Sequence, residues 1–578
     1  MSNKSIPIRS WTEKYTPDQV AQMIISIDPT FYLPSDEQRP IISIKDNPLE
    51  PAVVIAGAGS GKTETIAARV VYLVANQFMR PDQILGLTFT RKAAGELNAR
   101  IRKRLRQFQQ AQDKQGIPRT FNSLETAVTT YHSYAGRLLS EHAIRYGIDA
   151  DVQPMGEAAL WMSANKIVRE WDNGAFSTDD AVSTVVKDLL GLTSIALEHR
   201  VELDEIREID ERVLQELSMM TGATNEETRR VAKVLGQRIA MLPMVKAFIE
   251  ARRQSGELSF DDQISLAADI AVNFPDVGAL ERAKYPVVLL DEYQDTSQSQ
   301  VRMLSALFGG GHPVTAVGDP CQSIYTWRGA SAGTIGAFNK NFPKSEGSKG
   351  KNVYELLTTY RNDQSILALA NEISASVRAL EDLDVAPLKA RKGAGKGDLT
   401  CGVFENLEAE SQAIADYFLP LWKNPQRLEA DSLDSDAKVP KTFSVLVRKR
   451  AQIAPIQEAL AKVGIPSEVL GLGGLVHVPE IADLVSMLKI LNDPNSGAAL
   501  MRHLTGPRIN LGARDIAALG RYTRSRSETH RTIAAASLRI LWPAIQILPK
   551  LMINLWEARS MHSMRSKSAT RSCSLTLA

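Results

Sequence analysis

Short apolar runs alternate along the chain with longer segments whose apolar residues recur at helical spacing. The runs at residues 51–55 and 285–290 are rich in Val, Leu and Ile, a composition typical of strands buried on both faces of a parallel sheet. Residues 64–74 follow the first run and have the three-to-four-residue spacing of a helix. Strands that alternate with helices in this way predict an α/β fold with a parallel sheet.

The segment between these two runs is almost wholly helical in pattern. Residues 157–172 and 226–253 carry apolar positions at helical spacing, and the Pro, Asn and Gly breaks are short. We therefore predict a helical insertion over residues 104–282. Further along, the pattern predicts a strand at 443–447, helices at 452–463 and 479–491, and surface loops at 389–397 and 423–441.

A glycine-rich turn joins the first strand to its helix, which is the context of a phosphate-binding loop. The glycines let backbone N–H groups approach a polyphosphate, and the helix N-terminus adds the positive end of its dipole. Lys62 is predicted to reach the β- and γ-phosphates and the Thr63 hydroxyl to hold Mg²⁺. A turn that binds nothing is the structural alternative. The predicted nucleotide-binding residues of the turn are Ala56, Gly57, Ala58, Gly59, Ser60, Gly61, Lys62 and Thr63, with Ala56 at the usual place of a glycine.

Two acidic residues end the second apolar run. Because the carboxyl ends of parallel strands collect the functional residues of α/β proteins, Asp291 and Glu292 are expected beside the phosphate loop. Asp291 is predicted to hold the Mg²⁺ shell. Glu292 is predicted to orient and deprotonate an attacking water, as a general base in phosphate hydrolysis. Without a phosphate loop, an Asp-Glu pair would indicate only a solvated turn.

These two motifs resemble those of UvrD/Rep-type superfamily 1A DNA helicases, and the motifs below extend the resemblance from about residue 33 to about residue 519. Within that group the motif sequences are most similar to those of the helicase subunits of AddAB/AdnAB-like bacterial helicase–nucleases. The resemblance implies tandem RecA-like motor domains with helical insertions, with ATP and Mg²⁺ as cofactors. It also implies movement along single-stranded DNA and unwinding in the 3′→5′ direction, in recombination or repair.

The resemblance assigns four further residues to the nucleotide. Gln38 would read the adenine edge, Tyr360 would cover the adenine ring, and Arg361 would act as an arginine finger on the γ-phosphoryl group. Gln322 follows another predicted strand, from which it can sense the γ-phosphate. Glu64 stands where an arginine commonly packs on the adenine, so base selectivity stays open.

Basic, hydroxyl and aromatic residues at three turns are predicted to bind DNA. Hydroxyl and basic groups at a helix start can hold phosphates, and aromatic rings can stack on bases. The alternatives are a solvated basic turn at residues 88–92, a core histidine at His132, and core packing of the rings at 325 and 327. The predicted DNA-binding residues are Phe89, Thr90, Arg91, Lys92, Thr130, His132, Tyr325, Trp327 and Arg328.

Composition changes abruptly after Gly520. Ten of the 68 basic residues but only two of the 66 acidic ones follow it, so the first 520 residues carry 58 basic and 64 acidic side chains. The net charge of +2 therefore gives no support to nucleic-acid binding, which depends on the local motifs. The last 58 residues contain no glycine although the chain has 36. A frame-shifted or truncated end and a divergent basic tail both account for this change.

The family resemblance also gives the expected partners. Single-stranded DNA and 3′-tailed duplex are the expected partners, a second helicase–nuclease subunit is a further candidate, and a truncated ATP- and DNA-binding fragment without unwinding activity is the alternative function. Three widely separated cysteines and the lack of an apolar leader or spanning segment predict a cytoplasmic protein with no membrane partner.

The boundaries described above give the predicted domains. The domains are a first motor domain at 1–103 and 283–350, a helical insertion at 104–282, the first part of a second motor domain at 351–476, the start of a second insertion at 477–520, and a basic tail at 521–578.

Overall fold

The computed structural model divides into two compact units, residues 1–401 and 402–578. It describes residues 13–43, 50–147, 155–172, 180–219, 226–326, 329–330, 332–345, 352–380, 385–423, 443–469, 479–492 and 496–527. Within these ranges no helix is both long and apolar enough to cross a lipid bilayer.

A six-stranded parallel sheet forms the centre of the first unit, with strand order β3-β2-β4-β5-β1-β6. The four inner strands are buried along their whole length, as uninterrupted apolar runs require when helices cover both faces. The strands predicted at residues 51–55 and 285–290 are confirmed within a residue or two. The strands are β1 Ala52–Ala56, β2 Ile84–Thr88, β3 Ala127–Thr130, β4 Val287–Leu290, β5 Val314–Gly318 and β6 Val353–Leu356.

Helices cover both faces of this sheet. Side chains alternate along β1, so Val53 and Ile55 enter one apolar core while Ala52 and Val54 enter the other. The helices of the first unit are α1 Pro17–Ile25, α2 Gln38–Ser43, α3 Lys62–Ala75, α4 Arg91–Lys114, α5 Tyr131–His142, α6 Glu157–Glu170, α7 Val182–His199, α8 Leu203–Met219, α9 Glu226–Ser255, α10 Phe260–Asn273, α11 Pro275–Lys284, α12 Gln298–Phe308, α13 Phe338–Asn341 and α14 Gln364–Leu380.

Part of the range 104–282, which we predicted as a helical insertion, packs with the sheet. Buried residues of α6, α7 and α9, including Val186 and Phe248, form a core separate from the sheet. In contrast, β3 belongs to the sheet, and residues of α5 and α10 such as Tyr134 and Ile264 pack in one of its two cores. Helical spacing shows that a helix has an apolar face but does not identify the surface that this face covers, so it could not place the boundary.

The last strand of the first sheet comes from a segment that we assigned to the second motor domain. β6 pairs with β1 in parallel, so residues 353–356 complete the first sheet. Beyond it, β7 Thr358–Thr359 pairs with β8 Lys389–Ala390. The backbone of the predicted loop 389–397 is tied to the start of α14, where Ser365 N donates to Lys396 O over 2.8 Å. The first two residues of this loop form the short strand β8.

The second unit is helical in its described residues. Ile456 and Leu460 of one helix, 453–462, pack against Ala415 of another, 407–423, in a small core. The predicted strand at 443–447 is wrong: those residues carry no strand, and no strand is present in the described residues of this unit to pair with them. Residues 424–442 and 470–478, the first of which include most of the predicted loop 423–441, lie outside the described residues. The helices are α15 Leu407–Lys423, α16 Ile453–Lys462, α17 Pro479–Asn492, α18 Gly497–Thr505 and α19 Ala513–Ser527.

Candidate functional site

The glycine-rich turn lies at the carboxyl end of β1 and leads directly into α3. Gly59 and Gly61 have φ angles of +75° and +88°, which favour glycine because side chains there are strained. A side chain at Gly59 would also collide with Arg361, in the segment that follows β7, since its Cβ would lie 2.5 Å from Cβ of Arg361. Ser60 is buried and its hydroxyl donates to Gly57 O over 2.8 Å. Ala56 is fully buried as the last residue of β1, which explains why a small apolar residue suits that position.

The acidic turn after β4 faces this loop. Lys62 Nζ lies 3.1 Å from Glu292 Oε2, so the two charged groups predicted to act on the phosphates meet directly. Gln294 Nε2 donates to the same carboxylate oxygen over 2.8 Å. Glu292 has a φ angle of +49°, a conformation that costs free energy for a non-glycine residue and is concentrated at functional sites. Lys62 and Gln294 therefore hold the Glu292 carboxylate in one position.

Asp291 and Asp295 are acids kept in an unfavourable environment. Burial, together with the neighbouring charge of Glu292 and against the opposing effect of Lys62, raises the pKa of Asp291 to about 6. Burial likewise raises the pKa of Asp295 to about 6. A buried carboxylate beside the start of α3, where Thr63 lies, suits a divalent cation, because a cation would relieve the cost of the buried charge. Asp291 and Thr63 are the residues that would hold Mg²⁺.

Asp291→Asn is expected to raise the unfolding free energy of the nucleotide-free protein. It also removes the carboxylate that would bind the metal. Asparagine keeps an oxygen to accept the Glu292 N–H bond, which spans 3.1 Å. The folded pKa of about 6 against the ordinary 3.8 corresponds to about 2–3 kcal/mol of unfolding free energy. Because the folded chain binds the proton more tightly than the unfolded chain, this gain should be full above about pH 6 and absent below about pH 4.

Thermal or urea unfolding of the two proteins at pH 7.5 and near pH 4 measures this difference. A variant less stable than the wild type at pH 7.5 would show that Asp291 supports the fold and is not held in a costly charged state.

The segment around β7 lies against the phosphate loop. Tyr360 N donates to Gly59 O over 2.8 Å, and Thr359 Oγ1 donates to Ala58 O over 2.8 Å. These bonds place Tyr360 and Arg361 beside the turn, and Tyr360 is 48% exposed. Glu37 fixes the preceding residues, since its carboxylate accepts from the backbone N–H groups of residues 357 and 358 at 3.1 Å each. We had not predicted this role for Glu37.

Gln38 occupies the opposite side of the same turn. Its Nε2 donates to Thr65 Oγ1 over 3.1 Å, and its Oε1 accepts from Ser35 N over 3.0 Å. A Cβ at Gly61 would lie 3.0 Å from Nε2 of Gln38, so the glutamine packs directly on the loop. This position agrees with the nucleotide-binding role predicted for Gln38, which stays a prediction.

Two arginines of α4 surround Glu64, the residue that replaces the arginine expected after the loop. Arg104 Nε lies 2.9 Å from Glu64 Oε1, and Arg100 Nη1 lies 3.1 Å from Oε2. Arg104 also stacks over the ring of Phe31 at 4.1 Å from its centroid. Cationic groups are therefore present near this position although the local sequence is acidic, and a motif confined to residues 56–64 could not reveal them.

Gln294 connects the ends of β4 and β5. Its Oε1 accepts from Asp319 N over 3.0 Å, while its Nε2 contacts Glu292. Gln322 Nε2 donates to Asp319 Oδ2 over 2.5 Å. A chain of hydrogen bonds thus runs from Lys62 through Glu292, Gln294 and Asp319 to Gln322. Sequence reasoning missed Gln294 because we considered only the acids of the Asp-Glu-Tyr-Gln-Asp stretch.

Two predicted base-stacking residues from distant parts of the sequence form one aromatic surface. The rings of Phe89 and Tyr325 have centroids 4.3 Å apart and an interplanar angle of 34°. Phe89 follows β2, and Tyr325 follows the turn that holds Gln322. Trp327 and Arg328, which we predicted to extend this surface, lie outside the described residues.

The predicted phosphate contacts lie at the starts of α4 and α5. Thr90 Oγ1 accepts from Ala93 N and Thr130 Oγ1 accepts from Ser133 N, each over 3.1 Å, so both threonines cap helices. Arg91 and Thr130 line one shallow cleft between the two helices. Lys92 is exposed and lies 3.9 Å from Glu96, whereas His132 is half-buried. The cleft brings together two of these predicted residues.

Comparison with known protein families identifies both parts of the chain. The model of the UvrD/REP helicase N-terminal domain matches residues 35–343. The model of the UvrD-like helicase C-terminal domain matches residues 354–537, which extends past residue 519, where we placed the end of the resemblance. With the parallel sheet and its phosphate loop, these matches confirm the predicted α/β class, a P-loop NTPase with tandem RecA-like motor domains and helical insertions.

Curated helicases are similar to most of this chain. The ATP-dependent DNA helicase UvrD1 of Mycobacterium leprae is 27% identical over 490 residues, which cover 82% of this chain and 55% of the relative. The ATP-dependent DNA helicase PcrA of Leuconostoc citreum is 27% identical over 523 residues, covering 90% and 60%. PcrA of Staphylococcus aureus is 25% identical over 491 residues, covering 84% and 57%. The chain thus spans a little over half the length of these relatives.

Proposed function

Because the chain belongs to the UvrD/REP helicase family, we propose that it is an ATP-dependent motor that moves along single-stranded DNA and unwinds duplexes in the 3′→5′ direction. The UvrD1 and PcrA relatives are described as ATP-dependent DNA helicases. We further propose a role in DNA repair or recombination and a cytoplasmic location. The similar proteins reported above do not support a closer likeness to helicase–nuclease subunits, nor a second subunit as partner. Both therefore stay predictions.

One observation carries the proposal: a series of hydrogen bonds and a three-residue stretch of chain join the phosphate loop to the aromatic surface. Hydrogen bonds lead from Lys62 to Gln322, and Tyr325, three residues further on, stacks against Phe89. A change at the γ-phosphate that moves Gln322 would therefore also move Tyr325. Coupling of nucleotide state to the grip on a DNA strand needs such a connection.

The residues of the site have distinct proposed roles in ATP hydrolysis. Lys62 and the backbone of the loop bind the phosphates, and Gln38 and Tyr360 hold the adenine. Mg²⁺, held by Thr63 and Asp291, would neutralise charge on the phosphate oxygens when bound. Glu292 orients the attacking water and accepts its proton, a role for which Lys62 and Gln294 position its carboxylate.

Phe89→Ala and Tyr325→Ala are each expected to weaken single-stranded DNA binding by about 1–3 kcal/mol, because each removes one ring of the stacking surface. The loss should be similar for different sequences, since stacking does not distinguish hydrogen-bonding edges. Fluorescence anisotropy with labelled strands measures the affinity. Tyr146→Ala is the matched control, since Tyr146 stacks edge-to-face on Phe274 at the far end of α5. Unchanged affinity in both variants would assign the pair to core packing.

Strand displacement tests the proposed function. With ATP, the protein should release the strand of a duplex that carries a 3′ single-stranded tail and should not release that of a 5′-tailed duplex. Glu292→Gln serves as the hydrolysis-deficient control. Displacement that prefers the 5′ tail would contradict the proposed direction, and DNA binding without any displacement would favour the alternative of an ATP- and DNA-binding protein.

A further inference from the structure

One face of α4 carries polar and basic residues far beyond the predicted DNA contacts at its start. Arg91, Gly95, Asn98, Arg102 and Arg106 follow one another at spacings of three or four residues, so they share one face of the helix. Arg91, Arg102 and Arg106 are exposed along it. A rise of 1.5 Å per residue places Arg91 and Arg106 about 22 Å apart along the axis.

Two shallow clefts follow this face and join in the middle. The first lies between the starts of α4 and α5, where Arg91 and Thr130 line it. The second runs along α4 and is lined by Gly95, Asn98, Ala99, Arg102, Lys103 and Arg106. Gly95 and Asn98 line both clefts, and a Cβ built at Gly95 meets nothing within 4 Å. The two clefts form one open groove, which we call the α4 groove.

The α4 groove is basic on balance. Arg102 lies 3.5 Å from Glu125 and Lys103 lies 3.6 Å from Asp28, but Glu125 is 80% exposed and the Arg102 side chain 44%. An exposed ion pair of this kind contributes little, so a phosphate can replace the glutamate as the partner of Arg102. Glu96 faces Lys92 near the helix start.

The lining of the second cleft indicates what kind of nucleic acid fits. Proteins hold single strands by combining basic grooves with aromatic rings on which the bases stack. The Phe89–Tyr325 surface provides such rings, whereas the lining of the second cleft contains none. In a duplex the bases stack on one another and present only phosphates to such a surface, which Arg, Lys and Asn side chains can bind.

We propose that the α4 groove binds the phosphate backbone of duplex DNA next to the single-stranded segment on Phe89 and Tyr325. This inference rests on the proposed function and adds a second DNA surface to it. The distance of about 22 Å corresponds to about six base pairs at 3.4 Å per pair. Arg102 and Arg106 are the residues assigned to phosphates of the paired region.

The test is a comparison of Arg102→Gln/Arg106→Gln with the wild type on two DNAs, a 3′-tailed duplex and its single-stranded tail alone. Anisotropy titrations at several salt concentrations give both the affinity and its salt dependence. The double variant should bind the tailed duplex roughly tenfold more weakly at moderate salt. The slope of log affinity against log salt should be shallower by about two, since each lost phosphate contact removes about 0.9. Binding of the tail alone should stay within about twofold.

The control is Arg80→Gln/Arg302→Gln, which removes the same charge from two exposed arginines. Arg80 precedes β2 at the amino edge of the sheet, and Arg302 lies on α12. Arg106→Glu, a single exposed change, provides a second variant should the double one fail to fold, and it should weaken duplex binding in the same direction.

An equal loss on the tail alone would overturn the assignment to duplex and make the groove part of the single-strand path. Unchanged binding of the tailed duplex, or an equal effect of the control, would overturn the groove as a DNA site. Failure of the wild type to bind either DNA would instead contradict the proposed function itself.

Discussion

Arg361→Ala should slow ATP hydrolysis by roughly three to five powers of ten while nucleotide affinity changes only a few-fold. The guanidinium is expected to meet charge that develops on the γ-phosphoryl group in the transition state, which is why the effect falls on the rate. The structure supports this position, because the Tyr360 N–H bond to Gly59 O holds the adjacent backbone against the phosphate loop.

Single-turnover hydrolysis and fluorescent-nucleotide binding separate the two quantities. Lys389→Gln is the matched control: Lys389 is exposed on β8, which pairs with β7 two residues before Arg361. Arg361→Lys should recover only part of the rate, since lysine lacks the planar fork of donors. A rate within tenfold of the wild type would remove Arg361 from the transition state.

Glu292→Gln should slow hydrolysis by about two to four powers of ten, the usual contribution of a general base, with binding retained. Glutamine has the same shape and keeps an oxygen that can contact Lys62 and Gln294, which lie 3.1 Å and 2.8 Å from the native carboxylate. It cannot accept the proton of the attacking water. The loss is therefore chemical and not structural.

Glu355→Gln makes the same change at a half-buried position on the edge strand β6 and should leave the rate unchanged. Multiple-turnover hydrolysis measured beside ATP affinity distinguishes the outcomes. Full turnover by Glu292→Gln would show that another group takes the proton, and lost nucleotide binding would indicate that the Glu292 charge mainly serves to hold Lys62.

The candidate nucleotide site could be located from sequence because its parts are local. The turn from Ala56 to Thr63 is contiguous, and the run before Asp291 is apolar enough to show a buried strand. Both lie at the carboxyl ends of parallel strands, so their proximity follows from the α/β pattern. The meeting of Phe89 and Tyr325 follows the same rule.

Other features depend on tertiary contacts that no local pattern contains. Gln294 matters because its amide lies between Glu292 and Asp319, and Arg104 matters because α4 places it beside Glu64. The half-exposed β3 lacks an apolar run, so it was included in the insertion. The apolar run at 443–447 shows the reverse error, because a strand needs a neighbouring strand for its backbone hydrogen bonds.

The central claim is that ATP turnover at the phosphate loop is coupled to the DNA surface. Steady-state ATP hydrolysis by residues 1–578, measured with and without saturating single-stranded DNA, tests it most directly. The account predicts a clear rise in the rate with DNA, a smaller rise in Phe89→Ala and Tyr325→Ala, and almost no hydrolysis in Glu292→Gln. Equal rates with and without DNA, under conditions where anisotropy shows the DNA bound, would contradict it.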